Sequence, residues 1–380
     1  MKTRSSLVLW GILSAATNGC GDGGEPLSPE GEGGSSTGAG AGGPSSSSGD
    51  VAATTTSGTS SAGGDGGDPG GNGGGGGDGT GAGGDGGSSV CPAGPYAADP
   101  LPANGRAQLV QGGFDYVEGP VWIAELGALF FSEIHTEAEN PPPLNGPQAT
   151  IHKLTPPGAI DVFIEHSSTN GLGIHRDGGL IACTHDTRSV SVFDLGTKER
   201  RPVAERYMNK RFNSPNDVVV RSDGNVYFTD PEFQLSGTSE LPTAVYRVSP
   251  SGEVNVVDTL ESPNGVALSP DEDVLYVGDY YGGQIRQYTL SPDGSTGPSS
   301  ELAAGLARAD GLGVDCAGNL YVAWRNGVEI VAPDGERLGT IAGVGAASNV
   351  AFGGADRKTL YITAGSSLYS IQANIPGYPY

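Results

Sequence analysis

Basic residues are missing from a long N-terminal stretch of the chain, since no Lys or Arg lies between Arg4 and Arg106. The 380 residues carry 43 Asp and Glu against 20 Lys and Arg, which gives a formal net charge of −23 at pH 7. An acidic surface of this kind repels nucleic acid and anionic lipid. The composition therefore argues against both as partners and favours the attraction of cations.

Aromatic residues are absent from residues 21–89, and large aliphatic side chains are almost absent there as well. Gly, Ser, Thr, Ala, Asp and Pro make up nearly all of this segment. Such a segment cannot bury enough apolar surface to offset the entropy lost on ordering. We predict a disordered Gly/Ser/Asp linker over residues 21–90 and one folded unit over residues 91–380.

The apolar run near the N-terminus, LVLWGILSAA, is too short to span a bilayer. It follows Lys2 and Arg4 and precedes TNGC, which resembles a bacterial lipoprotein cleavage site. We expect residues 1–20 to be an export signal, with Cys20 as the lipidated residue. The mature protein would then be anchored by lipid at the cell envelope, or alternatively secreted, and that anchor would be its membrane contact.

Cysteine is scarce, and three cysteines remain beyond that site: Cys91, Cys183 and Cys316. An oxidising compartment permits one disulfide and leaves one thiol over, but the sequence does not decide which pair forms. Burial as free thiols is equally plausible for Cys183 and Cys316, because both sit inside strand-like runs.

One pattern recurs roughly every 40 to 50 residues. Each copy opens with a polar residue, usually followed by Gly, and continues as an apolar strand, a turn and a second strand that ends in a small polar residue. The opening residues are Glu118, Asn170, Asn216, Asn264, Asp310 and Asn349. Further strands lie between the copies, so each unit holds about four short antiparallel strands.

Six such units predict an all-β fold, a six-bladed β-propeller. The strand-like segment Arg106–Tyr116 is expected to close the ring by joining the C-terminal blade. A pair of β-sandwiches is the alternative, although it would not explain a single repeated motif.

The innermost strands of a propeller line a central channel, so the six opening residues are expected to converge at one mouth. Three or four of them would supply two carboxylates and amide oxygens, a ligand set that suits hard cations such as Ca²⁺, Mg²⁺ or Mn²⁺. The alternative is that they only cap turns before a strand. Capping explains Asn or Asp before Gly well but explains Glu118 poorly.

The segments EGPVW, SPNDVVVRSDGNVYFTDP, PNGVALSPDEDVLYVGD and ADGLGVDCAGNLYVAW resemble signature segments of the SMP-30/gluconolactonase family, in order and at fitting spacing. The resemblance implies a calcium-dependent lactonase propeller. It implies that Glu118, Asn264 and Asp310 hold the metal together with Asn216, and that Asp310 is the acid/base. It also implies that Asn216 and Asp217 contribute to the metal or substrate site.

Two features depart from that family's pattern. Ser214 stands where some members carry a substrate-binding Arg, and the nearby Arg211 becomes a candidate for that role together with Asn216 and Asp217. The first blade carries an insertion, IHTEAENPPPLNGPQATIHKL, where relatives are usually shorter. Both departures concern the substrate more than the metal.

We therefore expect a monomer that hydrolyses a sugar lactone with a divalent cation, Ca²⁺ in the first place and Mg²⁺, Mn²⁺ or Zn²⁺ as alternatives. The cation would polarise the carbonyl, and Asp310 would take a proton from water and return it to the ring-opening alkoxide. The alternatives are a non-enzymatic, surface-tethered binding propeller and a metal-dependent esterase or phosphotriesterase. The predicted folded unit, residues 91–380, has no G-x-S-x-G motif, and among the histidines His185 could reach the site from the end of a second strand.

Overall fold

Six four-stranded antiparallel sheets make up the folded part of the chain. The computed structural model describes residues 91–103, 105–136 and 146–378. The predicted export signal, Cys20 and the predicted linker lie outside these residues. Within the described part of the chain, no helix is long and apolar enough to cross a membrane.

The strands are short, and most are five to seven residues long. In chain order they are β1 (Gln108–Gly112), β2 (Tyr116–Ile123), β3 (Ala128–Ile134), β4 (Ala149–Thr155), β5 (Ala159–Ile164), β6 (Thr169–Ile174), β7 (Leu180–Thr184), β8 (Ser189–Phe193), β9 (Arg200–Ala204), β10 (Arg206–Tyr207), β11 (Lys210–Arg211), β12 (Val218–Val220) and β13 (Val226–Asp230). They continue with β14 (Ala244–Val248), β15 (Val254–Thr259), β16 (Pro263–Leu268), β17 (Val274–Asp279), β18 (Gln284–Leu290), β19 (Thr296–Ala304), β20 (Leu312–Val314), β21 (Leu320–Trp324), β22 (Gly327–Val331), β23 (Arg337–Ile341), β24 (Asn349–Gly353), β25 (Thr359–Ala364) and β26 (Ser367–Gln372).

Each sheet is one blade of a β-propeller, as the sequence predicts. Blades 1 to 5 consist of β2–β5, β6–β9, β12–β15, β16–β19 and β20–β23, while β10 and β11 form a separate small hairpin. Blade 6 has the order β24-β25-β26-β1, and its outermost strand comes from the N-terminal side. In each blade the first strand of the repeat lies innermost.

The predicted closure of the ring is confirmed. β1 pairs antiparallel with β26, with Leu109 opposite Tyr369. The strand ends at Gly112 rather than at Tyr116, because the chain turns at Gly113, which has a φ of 95°. Tyr116 instead begins the innermost strand of blade 1.

Apolar clusters fill the spaces between neighbouring blades. Successive side chains of a strand point to opposite faces, so the second strand of each blade packs against both neighbours. Phe228 packs against the Ile181 side of blade 2, whereas the preceding Tyr227 packs against the Leu275 side of blade 4. Leu129 joins blade 1 to Tyr361 of blade 6. The period-two alternation seen in the repeat therefore builds a core between every pair of blades.

A disulfide joins Cys91 to Cys316, and Cys183 is a free, buried thiol. The expectation that Cys316 sits inside a strand is wrong, because it follows the end of β20 in the turn before β21. Cys183 does lie in β7, where its side chain belongs to the core between blades 2 and 3.

The disulfide lies on the face of the propeller where the innermost strands end, which we call the closed face. The C-terminal residues cross the same face: Tyr378 N donates to Val314 O at 2.8 Å. Asn374 N donates to Pro100 O at 2.9 Å, which ties the two terminal segments together. The opposite face, where the innermost strands begin, is called the mouth.

We predict that a Cys91→Ser/Cys316→Ser variant unfolds at a temperature lower by about 5 °C or more under non-reducing conditions. The crosslink closes a loop with a sequence separation of 225 residues, and removal of a disulfide costs about 2–5 kcal/mol. Thermal unfolding followed by circular dichroism, with and without dithiothreitol, measures the effect.

Dithiothreitol should lower the unfolding temperature of the wild type and leave that of the double variant unchanged. Cys183→Ala is the matched control and should respond to dithiothreitol like the wild type. Equal unfolding temperatures for the wild type and the double variant without reductant would show that Cys91 and Cys316 are not joined.

Candidate active site at the channel mouth

Hydrogen bonds join the innermost strands of neighbouring blades at the points where these strands begin. Three backbone bonds, 2.7 to 3.1 Å long, run from Gly171 to Asn216, from Gly265 to Asp310 and from Gly311 to Ser348. The hydroxyl of Ser348 donates to Val117 O at 2.7 Å and so links blade 6 to blade 1. The six opening residues therefore converge on the axis, as the repeat predicts.

The glycine that follows most opening residues is required by this close approach. A Cβ atom on Gly265 would lie 2.1 Å from Asp310 O, and one on Gly311 would lie 1.9 Å from Cγ of Asn349. Real Cβ atoms never come so near, so the polar-Gly pair in the repeat is the sequence signature of blades in backbone contact.

Asp217 occupies the glycine position in blade 3, and its carboxylate bridges two blades. Oδ1 accepts a hydrogen bond from Val218 N and Oδ2 accepts one from Val266 N of blade 4, both at 3.1 Å. The side chain of Asn349 also bonds to this carboxylate. Asp217 is therefore held deep in the channel, and its predicted contact with substrate stays a prediction.

Burial and mutual repulsion disfavour the charged forms of the carboxyls at the mouth. Burial raises the pKa of Glu118 to about 8, with the charge of Asp217 adding to the effect, while Gly119 N and Asn349 oppose it as hydrogen-bond donors. Burial also raises the pKa of Asp310 well above its ordinary value, and the charges of Glu118 and Asp217 raise it further. A cation at this point would relieve that repulsion.

The donors present fit a hard divalent cation. Glu118 from blade 1 and Asp310 from blade 5 supply carboxylates, and Asn264, which bonds to Asp310, supplies an amide. Among the residues that the structure describes, no group of three or more His, Cys, Asp or Glu side chains could hold a metal ion by itself. Amide oxygens are therefore needed beside the carboxylates, and oxygen ligands of both kinds suit Ca²⁺.

The other end of the channel is apolar. A cavity of about 840 Å³ lies on the axis and is lined by the residues two positions after the opening residues, which include Leu172, Val218, Val266 and Leu312. Its lining includes Asp217 and Asn349 toward the mouth and Val314 and Tyr378 toward the closed face. Residues two positions apart on a strand share one face, so each innermost strand turns its polar opening residue to the channel at the mouth and an apolar residue to the channel further in.

Three residues at the mouth are not among those predicted from the sequence: Tyr116, Tyr280 and Arg308. Tyr116 is half-buried, and its phenol feels the charges of Glu118, Asp310 and Arg308, with Tyr280 beside it. Burial is the main cause that raises the pKa of Tyr116 well above its ordinary value and that of Tyr280 to about 12.

The chain offers a signal for two of these residues. Tyr116 and Arg308 each stand two positions before a predicted metal ligand, so strand periodicity could have placed Tyr116 on the face of Glu118. No comparable signal marks Tyr280, which follows the end of β17.

Arg211 is not brought together with Glu118 and Asp310. Its guanidinium donates to Thr187 O at 3.2 Å, and its backbone N donates to Glu240 at 3.1 Å, both at the rim between blades 2 and 3. Its predicted role in binding substrate stays a prediction.

One family model matches the part of the chain that contains the six opening residues. The family model described as "SMP-30/Gluconolactonase/LRE-like region" matches residues 116–366. The chain belongs to this family. The matched SMP-30/gluconolactonase region begins at the innermost strand of blade 1 and contains all six opening residues.

Several relatives carry the names of lactonases. The chain is 31% identical over 304 residues to a gluconolactonase of Zymomonas mobilis, covering 71% of this chain and 82% of that protein. It is 30% identical over 261 residues to a pentonolactonase of Haloferax volcanii, covering 65% and 80%. A solved structure, described as a gluconolactonase of Xanthomonas campestris, superposes with a TM-score of 0.64 at 29% identity, covering 75% of this chain and 99% of that one.

We predict that Gly265→Ala destabilises the protein by about 1–3 kcal/mol, because the added methyl group would lie 2.1 Å from Asp310 O. Gly158→Ala is the matched control, since a Cβ there has no atom within 4 Å. Its effect should stay within about 0.5 kcal/mol. Urea unfolding of both variants gives the comparison, and equal stability of the two would contradict the close packing at the mouth.

We predict that the metal-free protein loses stability as the pH rises from about 4 to 8. The pKa of Glu118 rises from 4.5 to about 8 on folding and that of Asp217 from 3.8 to about 7, so the folded state binds more protons than the unfolded state in this range. The protonated carboxyls stabilise the fold at low pH, and this stability is lost as they ionise. The loss should be at least about 2 kcal/mol and should be reversed by Ca²⁺ above pH 7.

Urea unfolding of chelator-treated protein at several pH values, with and without added Ca²⁺, measures this dependence. Glu118→Gln should flatten the pH slope in part, while Glu125→Gln, at an exposed turn at the other end of the same strand, should leave it unchanged. A stability that rises between pH 5 and 8 without cation would refute the electrostatic account.

Proposed function

We propose that this protein hydrolyses a sugar lactone at the channel mouth with the help of a divalent cation. The observation that carries the proposal is the pair of buried carboxyls of Glu118 and Asp310, which feel each other's charge. The names of its gluconolactonase and pentonolactonase relatives support the same reaction.

Glu118, Asn216, Asn264 and Asp310 would hold the cation, with Ca²⁺ as the first candidate. When bound, it would polarise the lactone carbonyl and keep the neighbouring carboxyls ionised. Asn264 orients Asp310 by a side-chain hydrogen bond. Asn349 does the same for Glu118 and for Asp217.

Asp310 is the general base and then the general acid of this proposal. It accepts a proton from the water that attacks the carbonyl carbon, and it returns this proton to the ring oxygen as the ester C–O bond breaks. The product is the open-chain hydroxy acid, so water is the only reactant besides the lactone.

The phenols of Tyr116 and Tyr280 are protonated at neutral pH, since burial raises their pKa values further above the ordinary value of 10. They therefore act as neutral hydrogen-bond donors beside Asp310. The exposed Tyr281 packs against Tyr280 and Phe233, with ring centroids 5.2 and 6.2 Å from its own. Together these rings give the rim of the mouth an apolar wall on the side of blades 3 and 4.

We further propose that the protein is an exported monomer that is either lipid-anchored through Cys20 or secreted. The disulfide between Cys91 and Cys316 supports an oxidising compartment, because such bonds are rare in reducing cytosol. The bond lies on the closed face, opposite the mouth.

We predict that the purified protein hydrolyses D-glucono-1,5-lactone, that a chelator abolishes the activity, and that Ca²⁺ restores it. Asp310→Asn should lower kcat by at least about 100-fold, because the variant loses the proton acceptor. Proton release followed with a pH indicator measures both effects.

Asp334→Asn, at an exposed turn of the same blade, is the matched control and should keep full activity. Full cation-dependent activity of Asp310→Asn would disprove the role of this residue. Turnover of aryl esters or organophosphates alone would favour an esterase or phosphotriesterase, and no turnover with cation bound would favour a binding propeller.

A further inference from the structure

Unpaired polar atoms are concentrated at the mouth between blades 2 and 3. Among the described residues, ten buried side-chain nitrogen and oxygen atoms have no hydrogen-bond partner, and five of the ten belong to Asn170, His185, Arg188 and Asn213. Each such atom costs about 1–3 kcal/mol when it stays unpaired, so their clustering calls for a ligand that pairs them.

His185 is the clearest member of this cluster. It is 1% exposed, and neither ring nitrogen has a hydrogen-bond partner. Burial lowers the pKa of its imidazole to about 4, so the ring is neutral and offers one donor and one acceptor.

Arg188 and Asn213 lie together at the edge of blade 3. Nε of Arg188 donates at 2.5 Å to the carbonyl oxygen of Phe212, the residue before Asn213, and Nη2 of Arg188 has no partner. The backbone N of Asn213 donates to Asp230 at 2.8 and 2.9 Å, and its Oδ1 has no partner. The same turn holds Arg188 and His185, since Arg188 N donates to His185 O at 3.1 Å.

Neighbouring loops frame the cluster. A Cβ on Gly146, from the loop of blade 1, would lie 3.0 Å from Cβ of His185 and 2.7 Å from Gln234 O. Gln234 N in turn donates to the hydroxyl of Ser214 at 3.3 Å. Gly146 and Gln234 therefore lie between His185 and Ser214. Ser214 in turn lies two residues before the proposed metal ligand Asn216.

The charges of this neighbourhood select a neutral ligand. Arg188 faces the guanidinium of Arg211 as well as the carboxyls of Glu240 and Asp230, so positive and negative charges offset one another there. The charges of Asp217 and Asp230 also reach Cys183 on the same strand end. An anionic group would meet these carboxylates, whereas a hydroxyl both donates and accepts hydrogen bonds. One hydroxyl can accept from Nη2 of Arg188 and from the protonated ring nitrogen of His185 while it donates to Oδ1 of Asn213, and a second hydroxyl can donate to the other ring nitrogen of His185.

We propose that His185, Arg188 and Asn213 form a subsite that binds the ring hydroxyls of the substrate. The inference rests on the proposed lactone hydrolysis and adds the residues that recognise the ring hydroxyls of the sugar lactone. His185 is a specificity-determining residue in this arrangement, and the reacting carbonyl stays with the residues of blades 1, 4 and 5.

The test compares D-glucono-1,5-lactone with δ-valerolactone, which has the same ring without hydroxyls. His185→Leu should lower the kcat/KM ratio of the first substrate to the second by at least about tenfold, through KM, because the lost bonds are present before and during reaction. His185→Gln keeps a donor and an acceptor and should restore the ratio to within about threefold of the wild type. His175→Leu, in a turn on the closed face, is the matched control and should not change the ratio.

A second measurement separates the subsite from the reaction. Saturation-transfer NMR with D-glucitol, a polyol that cannot be hydrolysed, should detect binding to the wild type and not to His185→Leu. Such binding without turnover of either lactone would overturn the proposed hydrolysis and support the subsite. Hydrolysis with an unchanged substrate ratio in His185→Leu, or an equal loss on both lactones, would overturn the subsite and leave the hydrolysis standing.

Discussion

Backbone contact between neighbouring innermost strands is the constraint on which the mouth of the channel depends. Gly265 N binds Asp310 O directly, and a side chain at Gly265 would occupy the position of that oxygen. This contact and its equivalents hold Glu118 and Asp310, from blades 1 and 5, close enough for each to feel the other's charge. A wider ring would keep the same fold but would separate the carboxyls, and the cation proposed here would lose its ligand set.

The carboxyls at the mouth destabilise the fold, and contacts elsewhere in the molecule offset this cost. Buried carboxyls that repel one another oppose folding when no cation is present, because each is removed from water and faces like charge. Apolar clusters between the blades, such as the one that contains Phe228 and Ile181, act in the other direction. The Cys91–Cys316 bond adds to them by restricting the unfolded chain. The destabilising residues and the stabilising ones are thus in different parts of each blade.

The fold and the convergence of the opening residues could be predicted because both follow from periodicity. An apolar alternation with period two indicates strands, and a polar residue repeated at the same point of each unit must lie at the same height in each blade. The partner of Cys91 could not be predicted, because it depends on which turn of the closed face the N-terminal segment reaches. Arg188 could not be predicted for a related reason: it has a positive φ of 52° in a turn that no repeat specifies.

Cation binding and recognition of the substrate hydroxyls, both proposed for the mouth, depend on different kinds of structure. Glu118, Asn264 and Asp310 stand at the beginnings of innermost strands, where backbone hydrogen bonds between blades fix their positions. His185 and Arg188 belong to the turn between β7 and β8, which can change in length or sequence without opening the ring. Polyol recognition by such turns would allow one ring of cation ligands to serve different lactones. The chemistry would then be set by the repeat, and the substrate by the turns that depart from it.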